Sequence, residues 1–96
     1  MSGKNQKMNN KSKLPKWFNG ELYPKGDTVK NPFSGEICEL NAEELSMYDF
    51  IMGCQFMIEM RGGPFNDASQ KLQDEMRKGL DWFRTNNAKA YMILLD

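Results

Sequence analysis

The sequence predicts an α+β fold: a short N-terminal β-hairpin packed on two main α-helices plus a short C-terminal helix, preceded by a disordered basic arm. Three observations carry it. Between positions 17 and 40, aromatic and β-branched residues alternate with turn residues. Segments 41–61 and 67–86 carry helix-start and helix-stop signals around apolar residues at helical spacing. Charge is divided along the chain, which separates the arm from the body.

Residues 1–16 hold Lys4, Lys7, Lys11, Lys13 and Lys16 and no acid, a charge of +5. The remaining eighty hold eight basic residues against all thirteen acids, a charge of −5, so the formal net charge of zero conceals a basic arm on an acidic body. Asn, Lys, Ser and Gln fill the arm and offer too little apolar surface to offset the entropy of ordering it. Extended, it reaches about 55 Å. Leu14-Pro15 marks its junction with a single domain at 17–96. A body that small buries only roughly 60–65% of its unfolded surface, so help from a partner or a second copy is expected.

Within the body, Pro24-Lys25-Gly26-Asp27 reads as a turn in which glycine supplies positive φ, flanked by strand-like Leu22-Tyr23 and Thr28-Val29. A second turn, Asn31-Pro32-Phe33-Ser34-Gly35, precedes the imperfectly alternating Glu36-Ile37-Cys38-Glu39-Leu40. Two strands alone are marginal in water, so the ribbon must lie on helices.

The first helix begins at an Asn41 N-cap, with Glu44 three residues on completing a capping-box pattern. Arg61 lies in its last turn, and Gly62-Gly63-Pro64 stops it. Asn66 or Asp67 caps the second helix. There Ala68, Leu72, Met76, Leu80 and Phe83 make one apolar stripe, supported by the acid-before-base pairs Asp67–Lys71 and Asp74–Lys78. Gly79 either weakens this helix or admits a close approach beside Trp82. Residues 88–95 suit a short third helix better than a buried strand, because Ala, Lys, Met and Leu favour helix.

The first helix is apolar nearly all round, with Ser46, Asp49 and Gly53 as a narrow polar or small strip. Such a helix is buried all round. It is either the centre of the domain, wrapped by hairpin and helices, or a surface that meets a partner. Four of the eight methionines lie in it, and methionine adapts to irregular contacts. The partner-binding candidates are Met47, Phe50, Ile51, Cys54, Met57 and Ile58, with a homodimer through 47–60 expected. The absence of Lys and Arg before Arg61 argues against a membrane-surface helix.

The run from Val29 to Gly53 resembles a group of small uncharacterised proteins in tailed phages of marine cyanobacteria. Asn31-Pro32-Phe33-Ser34-Gly35, Leu40, Glu44-Leu45 and Tyr48-Asp49-Phe50-Ile51 carry the resemblance, and Tyr91-Met92-Ile93-Leu94-Leu95-Asp96 is similar too. It implies a viral origin and a host-cytoplasm setting, and brings no activity or site with it. Asp49, in the polar strip, suits a bond to a backbone amide of the Asn31–Gly35 turn or to a tyrosine hydroxyl.

Several functions are poorly served. The chain has no histidine, which removes the commonest general base and zinc ligand. Two cysteines, Cys38 and Cys54, are too few for a disulfide scaffold and read as reduced thiols. No phosphate-binding glycine loop, metalloprotease helix or nucleophile elbow occurs. The acids Glu36, Glu39, Glu43 and Glu44 lack calcium-loop spacing and read as a solvated face. No secretory leader and no membrane-spanning run is expected, which points to host cytoplasm or virion interior. The expectation is a non-enzymatic interaction protein without cofactor or metal. The alternative is a nucleic-acid accessory protein using Lys4, Lys7, Lys11, Lys13 and Lys16 as phosphate contacts, with a salt slope of about −4 to −5. Without arginines or aromatics among them, those lysines serve base readout and stacking poorly.

Overall fold

The computed structural model describes residues 14–63 and 67–95. Lys4, Lys7, Lys11 and Lys13, the expected arm around them, Pro64 and the alternative cap Asn66 lie outside the described residues. The elements are β1 (Asp27–Lys30), β2 (Ile37–Leu40), α1 (Ala42–Met60), a 3-10 turn (Asp67–Ser69), α2 (Gln70–Asn86) and α3 (Ala88–Leu94). This is an α+β arrangement with two main helices.

β1 and β2 pair antiparallel, with Asp27 opposite Leu40 and Lys30 opposite Ile37. Of the two turn signals, the second closes the ribbon, and Asn31 is the reason. Its N–H donates to the Glu36 carbonyl at 2.8 Å and its carbonyl accepts from the Gly35 N–H at 2.9 Å. Its side-chain oxygen accepts from the Phe33 and Ser34 amides at 2.8 and 3.3 Å, an Asx-type turn. Gly35 completes the turn at φ 81°. Asn31 Nδ2 also donates to the Ile93 carbonyl at 2.9 Å, fastening the turn to α3.

The first turn signal does different work from that expected. Leu22-Tyr23 forms no strand. The Tyr23 N–H donates to Ser46 Oγ at 2.9 Å and lays this segment on α1. Gly26 does not have positive φ. A Cβ there would overlap the Leu40 carbonyl oxygen and lie 2.8 Å from Asn41 Cα, so glycine is required for space.

α1 starts at the expected capping box. Asn41 Oδ1 accepts from the Glu44 N–H at 2.8 Å, and Glu44 Oε1 accepts from the Asn41 N–H at 3.0 Å. It ends in a Schellman motif. The Gly62 and Gly63 amides donate to the Glu59 and Ile58 carbonyls at 3.3 and 3.0 Å, and both glycines have positive φ. Arg61 is the C-cap residue itself, and its guanidinium donates to the Ala68 carbonyl at 3.4 Å.

Asp67 opens the 3-10 turn and α2 begins only at Gln70. Ser69, buried just before α2, donates from Oγ to the Gly63 carbonyl at 2.9 Å. Gly79 and Phe83 form the buried side of α2. A Cβ on Gly79 would sit 2.9 Å from Ile51 Cγ1 and 3.2 Å from Met47 Sδ, so the close approach it allows is to α1. The expected charge pairs are replaced. Asp74 accepts from Gln70 Nε2 at 3.3 Å, Lys78 stands over the Trp17 ring, and the Arg84–Asp81 pair closes to 2.7 Å.

Residues 88–94 are helical, started by Asn87, whose Oδ1 accepts from the Ala90 N–H at 3.1 Å. Leu40, Met47, Ile51, Phe83, Ala90 and Leu94 form the core, drawn from β2 and all three helices. Leu14, Trp17 and Phe18 pack against it from the N-terminal side.

Candidate functional site

α1 has two faces that its composition does not distinguish. Met47, Ile51, Cys54 and Ile58 recur at helical spacing and are buried inside the protomer, Met47 completely. Expected as part of a partner surface, these positions instead turn inward, where Met47 and Ile51 meet Gly79 of α2. Four of the six partner-binding candidates are thereby core positions. Phe50 is half-buried beneath Trp17 and Phe18, with ring centroids 5.9 and 5.4 Å away. Met57 alone of the six is exposed.

The apolar residues left outside are Met52, Phe56, Met57 and Met60, with Phe56 62% and Met60 70% exposed. Met52, Phe56 and Met60 are spaced four apart and so form a strip opposite the core seam. Exposed Gly53 lies within it, and a Cβ added there would meet no other part of the protein within 4 Å. Apolar strips of this kind mark contact surfaces on small proteins. The signal for it was present as a second four-residue spacing, but with both stripes apolar only the position of α2 decides which is outside.

Ser46, expected on a polar strip, is buried. It accepts from the Tyr23 N–H and donates to the Ala42 carbonyl at 2.8 Å. Asp49 is exposed and serves the Tyr23 hydroxyl, not the Asn31–Gly35 turn. Burial first, then the charges of Asp49 and Glu21 and a hydrogen bond to Asp49, push the Tyr23 phenol above its ordinary pKa. Burial also raises the Cys54 thiol, with the Glu75 charge adding to it.

A groove of about 420 Å³ runs between α1 and α2. Ile58, Met76 and Leu80 give it an apolar floor, and Gln55, Glu59, Gln73 and Arg77 complete its lining. At the opposite extreme of exposure is Phe33, 96% accessible at the hairpin turn.

Lys16 is exposed at the start of the described chain, where the Phe18 N–H donates to the Pro15 carbonyl at 3.1 Å. The other candidate phosphate contacts lie outside the described residues. Among the described residues, no group of three or more Cys, Asp or Glu side chains gathers to hold a metal. No helix among them is long and apolar enough to cross a membrane. In comparisons with known proteins, the chain matches no family model, no curated protein and no solved structure.

Proposed function

We propose that this chain is a small non-enzymatic interaction protein that binds a protein partner, another protein or itself, through the outward face of α1. The observation that carries the reading is the strip Met52, Phe56, Met57 and Met60, exposed on the same helix whose other face supplies the core. Burying apolar area contributes about 25 cal/mol per Å², and three flexible methionines around one aromatic suit an adaptable contact. The resemblance to small proteins of marine tailed phages sets that contact in an infected host cell.

The test is a Phe56→Ser, Met60→Ser double variant, compared with the wild-type full chain by sedimentation and by capture from host lysate. Both substituted side chains are exposed, so the circular dichroism spectrum and melting curve are expected to stay unchanged. Loss of association in a folded variant supports the reading. Undiminished association and capture overturn it.

A further inference from the structure

We propose that the Phe33 turn is a knob that seats in the α1–α2 groove of a second copy of this chain, making a head-to-tail contact. The proposal concerns a different pair of surfaces from the α1 strip and stands without it.

Phe33 is 96% exposed, yet its backbone is held in a closely bonded turn. Asn31 accepts from the Phe33 and Ser34 amides, Ser34 Oγ accepts from the Glu36 N–H at 3.2 Å, and Asn31 Nδ2 ties the turn to Ile93. None of these bonds uses the phenyl ring. The turn therefore holds the backbone beneath an exposed aromatic side chain in place, which lowers the backbone part of the ordering cost of docking it. Aromatic anchors seated in pockets are the usual centres of binding energy at protein interfaces.

The same chain carries a receptor of matching character. The groove floor is Ile58, Met76 and Leu80, and its volume is in the range of sites that enclose small ligands. Because Phe33 stands in solvent, it does not fill the groove of its own chain, and its ring is open to the groove of another copy. Charge agrees with that occupant. Exposed Lys30 and Glu36 flank the turn, while exposed Glu59 and Arg77 rim the groove. Lys30 can face Glu59 while Glu36 faces Arg77, and the phenyl ring enters between the two pairs. Knob and groove are different surfaces, so the contact is heterologous, and a joined pair keeps one free knob on one copy and one free groove on the other.

The test is sedimentation of the full chain over a range of concentrations. Phe33→Ser is expected to weaken self-association at least about tenfold with no change in the melting curve, because the turn's bonds remain. Gln55→Trp, which fills the groove from an exposed rim position, is expected to do the same. Mixing the two variants should then give a 1:1 pair, one supplying the knob and the other the groove. Lys30→Glu should weaken association, and adding Glu59→Lys should restore it. A wild-type chain that stays monomeric at high micromolar concentration overturns the proposal. So does undiminished association of Phe33→Ser. Association abolished by Phe56→Ser but untouched by Phe33→Ser also overturns it, and leaves the α1 surface standing.

Discussion

Glu44 and Asn87, forty-three residues apart, join the starts of two helices through one hydrogen bond of 3.0 Å. Glu44 Oε1 accepts from the Asn41 N–H and closes the α1 capping box, while Oε2 accepts from Asn87 Nδ2. The other side-chain atom of Asn87, Oδ1, accepts from the Ala90 N–H at 3.1 Å and caps α3. One carboxylate thus satisfies the beginning of α1 and orients the residue that begins α3. Such termini otherwise leave amide donors unpaired.

Glu44→Ala is therefore expected to cost more than a single cap, about 1–2 kcal/mol. Asn87→Ala should cost about 1 kcal/mol, because α3 is short and loses its start. The double variant should be less damaging than the sum, with a coupling of about 0.5–1 kcal/mol. Urea unfolding of the four proteins measures it. Strict additivity would mean that the two caps act independently.

Three glycines should answer alanine in three ways. Gly26→Ala places a Cβ against the Leu40–Asn41 backbone, which cannot rotate away, and is expected to cost at least about 3 kcal/mol or prevent folding. Gly79→Ala meets Ile51 and Met47 side chains, which can shift in part. Overpacking of about 1–3 kcal/mol exceeds the helix-propensity gain of about 1 kcal/mol there, so the net effect is destabilising. Gly53→Ala meets nothing within 4 Å and lies exposed mid-helix, so it should stabilise by about 0.5–1 kcal/mol. Midpoints of urea unfolding rank the three, and a stabilised Gly79→Ala would contradict the packing of α2 on α1.

These residues also show what sequence can disclose. The Asn41–Glu44 box and the two glycines that end α1 are local patterns, and they place α1 within a residue at each end. The partition of α1 into core and surface is not local. Both of its stripes are apolar, and only the Gly79 notch in α2 determines that the 47–51–54–58 stripe turns inward. The hairpin was ambiguous for a related reason. Two turn signals compete between residues 24 and 35, and the outcome rests on Asn31 reaching Ile93, a contact sixty-two residues away. Gly26 looked like a turn glycine because spacing to Leu40 across the sheet is not visible along the chain. The α1–α2 groove has no sequence signature, since its floor and rim come from two helices.

The two thiols should differ in reactivity. Cys38 is half-buried on β2, whereas Cys54 is buried and its thiol is held above its ordinary pKa by burial first and by Glu75 second. Thiolate is the reacting form. At neutral pH, Cys38 is expected to react first with a thiol-specific reagent, and Cys54 only as fast as the helices open. Adding urea below the unfolding transition should accelerate Cys54 and leave Cys38 nearly unchanged. Equal rates in the native protein would place Cys54 outside the core.

Tyr23 supplies the alkaline test. Burial, the Asp49 and Glu21 charges and the hydrogen bond to Asp49 all raise its pKa above the unfolded value of 10.0. Burial raises Tyr48 as well. A phenol whose pKa is higher in the folded chain contributes stability that is complete below the unfolded value. That contribution is lost as pH rises from there through the folded value. Stability should accordingly fall with rising pH above about 10. Asp49→Asn removes the nearest charge but not the burial, so phenolate absorbance should show the Tyr23 titration moving down towards, but not reaching, its ordinary value. The same substitution leaves the Tyr23 N–H to Ser46 bond in place, so the segment before β1 should remain docked on α1. A titration unmoved by Asp49→Asn would mean that the carboxylate does not face the phenol.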